Sequence, residues 1–123
     1  MKNKEIGQIG EKIAENYLKN KKYQILIKNY RKKFGEIDIV AKAHDLKLIF
    51  IEVKTLLTQG RNLFKPEDNF TTQKIRNVKR MAKFFAAKHP DLIDEEKGWQ
   101  IDFITVEIFE QDGSFSIRHY ENV

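Results

Sequence analysis

Residues 35–55 read GEIDIVAKAHDLKLIFIEVKT, in which two runs of mainly apolar residues are separated by a short polar link. Valine, isoleucine and phenylalanine are frequent in both runs, and these residue types favour extended strands. We therefore predict two β-strands at residues 36–42 and 47–55, joined by residues 43–46. Because the link is so short, the two strands are predicted to pair as an antiparallel hairpin. A hairpin centred on Asp45 pairs positions whose numbers sum to 90.

Charged residues interrupt both strands at matching positions. Side chains alternate between the two faces of a strand, so Glu52 shares a face with Lys54, and Glu36 shares a face with Asp38. In the register just described, Asp38 lies opposite Glu52 and Glu36 lies opposite Lys54. A register shifted by two residues keeps the same faces and places Asp38 diagonal to Glu52. Either register brings two carboxylates within reach of one ion.

The paired carboxylates of Asp38 and Glu52 suggest a metal site. Two ionised carboxylates on a largely apolar sheet repel each other unless a cation or a proton lies between them. Mg²⁺ (or Mn²⁺) suits this arrangement best, because Mg²⁺ is held by one or two carboxylates and takes its other ligands from water and phosphate. Lys54 would then stabilise an attacking hydroxide or the charge that builds on a phosphate. The alternative interpretation is a solvent-facing strand edge with a cross-strand Glu36–Lys54 salt bridge.

Periodic patterns on both sides of the hairpin predict the remaining elements. Apolar residues recur at three- to four-residue spacing in two segments, which is typical of amphipathic helices. Thr71 or Thr72 is the predicted N-cap of the second helix, which ends just before His89-Pro90. The predicted segments are a helix at about 5–20, a buried strand at 23–30, a surface loop at 56–69, the second helix, and strands at 99–109 and 115–120. This order, αβββαββ, predicts a single α/β domain over residues 1–123 with a mixed sheet flanked by helices.

The first predicted helix combines an apolar stripe with small residues. The stripe consists of Ile6, Ile9, Ile13, Tyr17 and Leu18. Gly7, Gly10 and Ala14 lie near that stripe, and residues this small permit close packing against a neighbouring element.

Basic residues are concentrated in two stretches. The chain has 23 lysines and arginines against 18 aspartates and glutamates, a net charge of +5, and residues 16–35 and 71–90 contain no acidic residue at all. Such blocks are what a phosphate-binding surface needs, although solvated lysine-rich faces would give the same pattern. The predicted nucleic-acid contacts are Arg31, Lys32 and Lys33 in a turn after the first strand, with Gln73 and Lys74 at the start of the second helix. For Lys74, the alternative is a side chain that snorkels past the edge of the core.

Composition and missing motifs exclude several classes of function. The absence of cysteine excludes disulfides and thiolate metal sites. No apolar stretch approaches the roughly 20 residues that span a bilayer and no signal peptide is evident, so a cytoplasmic location without membrane contact is expected. The three histidines, His44, His89 and His119, are scattered and do not predict a metal cluster or a catalytic triad. Neither Gly-x-Ser-x-Gly nor a phosphate-binding Gly-x-x-x-x-Gly-Lys motif occurs, which argues against acyl transfer and nucleotide hydrolysis.

The motifs around the hairpin resemble a known family. Asp38 is followed fourteen positions later by Glu52-Val53-Lys54, which resembles the PD-(D/E)xK signature of restriction-endonuclease-like nucleases. The wider motifs are Gly7-x-x-Gly10-Glu11-x-x-Ala14-x-x-Tyr17-Leu18, Asn29-Tyr30-Arg31, Gly35-Glu36-Ile37-Asp38-Ile39-Val40-Ala41 and Phe50-Ile51-Glu52-Val53-Lys54-Thr55. Together they resemble the YraN family, strongly through residue 55 and more loosely afterwards. That family is similar to archaeal Holliday-junction resolvases, which are dimeric, metal-dependent nucleases of branched DNA.

The resemblance implies roles for particular side chains. It implies that Asp38 and Glu52 ligate the metal, that Val53 offers its backbone carbonyl, and that Lys54 is catalytic. Glu11 matches a helix glutamate of the resolvases that helps to bind metal or orient water. Without the resemblance, the alternative interpretation of Glu11 is a solvated helix residue. Glu36 belongs to the family motif without an assigned role.

Two positions depart from the family pattern. An arginine expected shortly after the Glu-x-Lys motif is replaced by Leu56, and one expected before the late Ile101-Asp102 pair is replaced by Gln100. Both departures bear on substrate contacts more than on metal ligation.

The sequence therefore predicts a restriction-endonuclease-like domain that hydrolyses phosphodiester bonds in branched or structured DNA with a divalent metal. The competing prediction is a non-catalytic nucleic-acid-binding module with a vestigial site, and a weaker one is an RNA-processing nuclease. A homodimer is a further expectation, because two-fold symmetric substrates favour two-fold symmetric proteins.

Overall fold

A five-stranded mixed sheet flanked by two helices makes up residues 3–59 and 71–123, the parts of the chain that the computed structural model describes. The helices are α1 (Asn3–Asn20) and α2 (Thr72–Lys88), and a short 3-10 helix (Pro90–Leu92) follows α2. The strands are β1 (Gln24–Lys32), β2 (Gly35–Lys42), β3 (Leu48–Thr58), β4 (Trp99–Phe109) and β5 (Phe115–Tyr120). The predicted α/β class and the order αβββαββ are confirmed. No helix in the described ranges is long and apolar enough to cross a membrane.

The sheet has the strand order β1-β2-β3-β4-β5. Strands β3 and β4 pair in parallel, whereas the other neighbouring strands pair antiparallel. A parallel pair requires a long crossover connection, and α2 lies in that connection. The hairpin of β2 and β3 pairs Ile39 with Ile51 and Lys42 with Leu48, so the predicted register, in which position numbers sum to 90, is confirmed.

Each face of the sheet is covered by one helix, and the central strands are therefore buried on both sides. Alternate residues of β3 belong to different clusters: Phe50 packs on the α2 side, and Ile49 and Ile51 pack on the α1 side. This explains why β3 is a continuous apolar run instead of an alternating one. On the α2 side Phe50 meets Phe85, whose ring lies 5.4 Å away in an edge-to-face arrangement.

Three predictions about the strands were wrong in detail. Strand β1 is an edge strand with half-exposed or exposed side chains, not a buried one, because only β2 pairs with it. Arg31 and Lys32 end β1, where they pair with Glu36 and Gly35, and therefore do not lie in the turn. Strand β3 continues to Thr58, because its parallel pairing with β4 extends that far, so residues 56–58 are not a loop. The remainder of the predicted loop lies largely outside the described residues.

Helix α1 approaches the sheet through small side chains. Ile6, Gly10, Ala14 and Leu18 are buried at four-residue spacing, whereas Ile9 of the predicted stripe is 40% exposed. Gly10 lies directly against Thr55 of β3, and a Cβ atom at position 10 would lie only 2.6 Å from the Cβ atom of Thr55. The glycine thus lets α1 approach the end of β3 that follows Glu52 and Lys54.

We expect Gly10→Ala to destabilise the protein by about 1–3 kcal/mol, because the added methyl group forces α1 away from β3. Urea unfolding followed by circular dichroism measures this change. Gly7→Ala is the matched control, since a Cβ atom there meets nothing within 4 Å, and better helix propensity should stabilise it by up to about 1 kcal/mol. Equal stability of the two variants would contradict the close-approach role of Gly10.

Glu15 of α1 is a buried carboxylate surrounded by lysines. It is only 5% exposed, and its oxygens accept hydrogen bonds from Lys19 Nζ at 2.9 Å and Lys28 Nζ at 3.3 Å. The hydrogen bond from Lys19 is the main cause that holds the pKa of Glu15 below its ordinary value, and the bond and charge of Lys28 add to it against the opposing effect of burial. A lowered pKa stabilises the folded state above the unfolded pKa, and this stabilisation is lost as the pH falls through the folded pKa.

We expect Glu15→Gln to lower the free energy of unfolding at pH 7 by about 0.5–1 kcal/mol, a modest loss because the lysine partners are half in solvent. The difference from the wild type should shrink as the pH falls below about 4.3, the ordinary pKa of a glutamate. Urea unfolding at pH 7, 5 and 3 measures it, with the exposed Glu95→Gln as the control. A difference that persists at pH 3 would show that Glu15 acts by packing and not by charge.

Candidate functional site

The regular pairing of β2 with β3 ends next to Asp38. In the pairing of β1 with β2, Lys28 faces Ile39 and Tyr30 faces Ile37, so Asp38 stands level with Asn29. Asn29 has a φ of 55°, a left-handed conformation that asparagine adopts more readily than most residues. The described pairs between β2 and β3 run only as far as Ile39 and Ile51. The pairing of β2 with β3 therefore ends next to Asp38, whereas the pairing with β1 resumes at Ile37.

Where the backbone pairing of β2 with β3 ends, the side chain of Asp38 accepts the hydrogen bond of a β3 backbone N–H. The backbone N–H of Val53 donates a hydrogen bond of 2.8 Å to Oδ2 of Asp38. The regular alternation of β2 is also interrupted here, because Ile37 packs with Val40 on the α2 side while Ile39 packs on the α1 side. The strict alternation of side chains predicted for β2 is therefore broken between Ile37 and Val40. The hydrogen bond fixes the Asp38 carboxyl group beside β3.

The carboxyl groups of Asp38 and Glu52 lie together, as the register predicted. Both side chains are half-buried and line the same cleft. Burial, followed by the negative charge of Asp38, raises the pKa of Glu52 to about 8. Burial also raises the pKa of Asp38, against the opposing effects of the Val53 N–H and of Glu52. The Glu52 carboxyl group therefore retains a proton near neutral pH, and a divalent cation could take the place of that proton.

Two more carboxylates face the same space. Glu11 projects from α1, and burial together with the charges of Asp38 and Glu36 raises its pKa. Oε1 of Glu36 lies 3.3 Å from Nε of Arg31. With its amide oriented to suit both neighbours, Asn29 donates hydrogen bonds of 3.1 Å to Glu11 and 3.2 Å to Glu36. Within the described residues Glu36 pairs with Arg31, so the alternative Glu36–Lys54 salt bridge is not formed.

Asn29 is a site residue that the sequence reasoning missed. The motif Asn29-Tyr30-Arg31 had contributed to the family resemblance, but nothing in its spacing indicated a role for the amide. The left-handed turn of the backbone at Asn29, level with Asp38, places it between α1 and β2. That position depends on the contact of two elements and could not be read from one strand.

Two lysines approach the carboxyl pair from different elements. Lys54 is half-buried and lines the same cleft as Asp38 and Glu52. Lys74 lies in the first turn of α2, and its positive charge lowers the pKa of both Asp38 and Glu52. Thr71 is the N-cap of α2, and its side chain accepts a hydrogen bond of 3.1 Å from the Lys74 N–H. Lys74 thus acts on the site electrostatically, in addition to any packing of its aliphatic stem.

The other predicted nucleic-acid contacts are placed differently. Gln73 is exposed, and its Nε2 donates a 2.9 Å hydrogen bond along α2 to Asn77, not toward the carboxyl groups. Arg31 is engaged with Glu36 at the cleft, whereas the ammonium of Lys32 lies 5.2 Å from the centre of the Tyr30 ring. Lys33 is exposed in the turn between β1 and β2. Their roles in binding stay predictions.

The carboxyl groups line one open cleft of about 810 Å³. Its walls include residues of α1, β1, β2 and β3, among them Glu11, Asn29, Asp38, Glu52 and Lys54. The volume lies within the usual range for ligand sites. The donor atoms of the acidic residues are oxygens, which suit a hard cation such as Mg²⁺, and burial together with neighbouring negative charges raises the pKa of Glu11 and of Glu52. The residues therefore fit a divalent metal.

A second polar cluster lies within the fold and has a different character. Asp102 is fully buried and accepts hydrogen bonds from Gln100 Nε2 at 2.8 Å and from the Asn122 N–H at 3.0 Å. His119 Nε2 lies 2.7 Å from Asp102, and its Nδ1 lies 2.9 Å from the Tyr17 hydroxyl. The sequence analysis did not anticipate these contacts of His119. Gln100, where the family pattern has an arginine, satisfies the buried carboxylate.

Asp102, His119 and Glu121 could by position hold a metal ion. Both ring nitrogens of His119 already have hydrogen-bonding partners, Asp102 and Tyr17. A buried and satisfied network of this kind fixes β4 and β5 against α1, and this role accounts for the geometry.

Comparison with known proteins identifies relatives over nearly the whole chain. The family described as "Uncharacterised protein family UPF0102" matches residues 10–106. A UPF0102 protein of Syntrophomonas wolfei is 35% identical over 98% of this chain and 97% of its own length. A UPF0102 protein of Alkaliphilus oremlandii is 36% identical with the same coverage. A UPF0102 protein of Clostridioides difficile is 60% identical over 45% of this chain and 47% of its own length.

Among solved structures, Pyrococcus furiosus SfsA in complex with Ca²⁺ is similar at 16% identity and a TM-score of 0.42. That similarity covers 96% of this chain and 63% of the SfsA chain. The match to residues 10–106 and the identity along the bacterial relatives show that the chain belongs to the UPF0102 family, which the motifs had predicted under the name YraN.

Proposed function

We propose that the protein is a metal-dependent endonuclease that hydrolyses phosphodiester bonds in branched or otherwise structured DNA. The observation that carries this proposal is the pair of half-buried carboxyl groups, Asp38 and Glu52, which lies in an open cleft together with Lys54. Clustered carboxylates beside a lysine are suited to hold a metal and a phosphate at the same point.

The metal-binding residues would be Asp38 and Glu52, supplemented by Glu11 and by the backbone carbonyl of Val53. Because the Val53 N–H occupies Oδ2 of Asp38, the Asp38 carboxyl group is oriented before any ligand arrives. When bound, Mg²⁺ (or Mn²⁺) supplies a Lewis acid and lowers the pKa of water. The metal must displace the proton that Glu52 retains near neutral pH, and neutralisation of the crowded charges favours the bound state.

The lysines would act on the phosphate. In hydrolysis a water oxygen bonds to phosphorus, one phosphorus–oxygen ester bond breaks, and the departing oxygen takes up a proton. Negative charge grows on the phosphate oxygens during this step, and a positioned cation stabilises it. The position of Lys54 in the wall of the cleft supports this role. Lys74, whose charge acts on the carboxyl pair, would attract the phosphate to the same point.

We expect Glu52→Gln to reduce metal-dependent DNA cleavage by at least about 100-fold, because a neutral amide cannot replace the carboxylate toward a divalent ion. The assay incubates purified protein with linear, forked and four-way DNA, with Mg²⁺, Mn²⁺ or EDTA. Glu96→Gln, an exposed glutamate outside the cleft, is the control and should cut as the wild type does. Isothermal titration with Mn²⁺ should show the same loss of metal binding in Glu52→Gln.

The competing function is a nucleic-acid-binding module without catalysis, and the same assay separates the two. Binding of DNA by the wild type without cutting, in every metal and on every substrate, would overturn the endonuclease proposal. Substitution of matched RNA for the DNA substrates tests the RNA-processing alternative. A homodimer and a cytoplasmic location are parts of the same proposal.

We expect Lys54→Met to lower the cleavage rate at saturating DNA by about 100-fold, because the charge on the phosphate then lacks its cation. The dissociation constant for DNA, measured in EDTA by fluorescence anisotropy, should change by less than about threefold, since Lys54 is one cation among the many that attract the phosphates. Lys97→Met, in an exposed turn, is the control. A large loss of DNA affinity with an unchanged cleavage rate would contradict a catalytic role for Lys54.

A further inference from the structure

An exposed phenylalanine lies at the tip of the hairpin that leads into the site. Phe34 stands between the end of β1 and the start of β2, and 43% of it is exposed. It is four residues from Asp38 along the chain, which corresponds to roughly 13 Å for an extended strand. A nucleic acid whose phosphate occupies the cleft would therefore have neighbouring nucleotides within reach of this ring.

The Phe34 ring is held in place by α2. It packs edge-to-face on Phe84 with ring centres 5.1 Å apart, and the guanidinium carbon of Arg80 lies 5.4 Å from the centre of the Phe34 ring. The adjacent Gly35 is pressed against Met81, since a Cβ atom at position 35 would lie 2.8 Å from Cγ of Met81. The turn is thus anchored, and the exposed part of the ring is presented in a fixed orientation.

Basic side chains lie next to Phe34 on both the hairpin and α2. Lys32 and Lys33 precede it on the hairpin, and Arg80 and Lys88 lie on the adjoining helix, where the ammonium of Lys88 is 5.6 Å from the centre of the Phe84 ring. The sequence stretches that form this surface, residues 16–35 and 71–90, contain no acidic residue. Aromatic rings interleaved with lysine and arginine match a nucleic acid strand, whose bases stack while its phosphates pair with the cations.

We propose that Phe34 stacks on an unpaired base of the nucleic acid substrate, so that the protein selects single-stranded or branched segments over continuous duplex. A paired base within a duplex keeps its faces covered by its neighbours, whereas an unpaired base offers a free face to an aromatic ring. This inference takes nucleic acid as the substrate class from the proposed function. It adds that the tip of the β1–β2 hairpin selects unpaired over paired bases.

The test measures binding in EDTA, where cleavage does not occur. The probes are a fluorescein-labelled single strand, a fork and a blunt duplex, with 2-aminopurine as a fluorescent base at the unpaired positions. Phe34→Ala should weaken binding of the strand and the fork by about 5- to 100-fold, abolish quenching of the 2-aminopurine, and leave duplex binding unchanged. Phe34→Trp should retain both the affinity and the quenching, because the indole ring also stacks.

Phe115→Ala is the matched control, since Phe115 is 52% exposed on β5, outside the basic surface, and should bind all three probes as the wild type does. Equal weakening on all three probes, an unchanged affinity of Phe34→Ala, or no wild-type binding of single strands would each overturn the stacking role. Competition by poly-glutamate against the single strand, seen with the wild type and lost in Phe34→Ala, would also overturn it. The ligand of this surface would then be an acidic peptide and not a nucleic acid. This test measures binding and not cleavage. If the wild-type protein stacks on the unpaired base but never cuts DNA, the endonuclease proposal fails and the stacking proposal stands.

Discussion

The hydrogen bond from the Val53 N–H to the Asp38 carboxyl group is the contact on which the site depends. It occurs where β2 leaves its regular pairing with β3, so the backbone donor is satisfied by a side chain and not by a strand. This opens the sheet without leaving a buried N–H unpaired, which would be costly. The same bond holds one carboxyl group beside Glu52, whose position on β3 is set by the parallel pairing with β4.

The electrostatics of the cleft follow from that opening. Four carboxyl groups, those of Glu11, Glu36, Asp38 and Glu52, line one space. Two of them are partly balanced, because Arg31 pairs with Glu36 and the Asn29 amide bridges Glu11 and Glu36. The positive charge of Lys74 acts on the innermost pair, Asp38 and Glu52, and lowers the pKa of both against the effect of burial. Carboxyl groups crowded in this way support the proposed metal site, because a bound cation would offset their mutual repulsion.

Rigid packing around the cleft keeps this arrangement in place. Gly10 allows α1, which carries Glu11, to lie directly on β3 at Thr55. On the same side of the sheet, the buried Asp102 accepts hydrogen bonds from side chain and backbone and meets His119, which connects in turn to Tyr17 of α1. The contact of Gly10 with Thr55 and the hydrogen bonds around Asp102 thus fix the relative positions of the elements that carry the carboxyl groups of the site.

The sequence by itself determined the hairpin, its register and the adjacency of Asp38 and Glu52. These depend only on the two-residue period of a strand and on a short link, both of which are local. Only the tertiary structure decided that β1 lies at the sheet edge, that β3 extends to Thr58, that Asn29 bridges two glutamates and that His119 meets Asp102. Each of these requires a contact between elements far apart in the chain, and no periodicity within one segment encodes which distant partner will cover it.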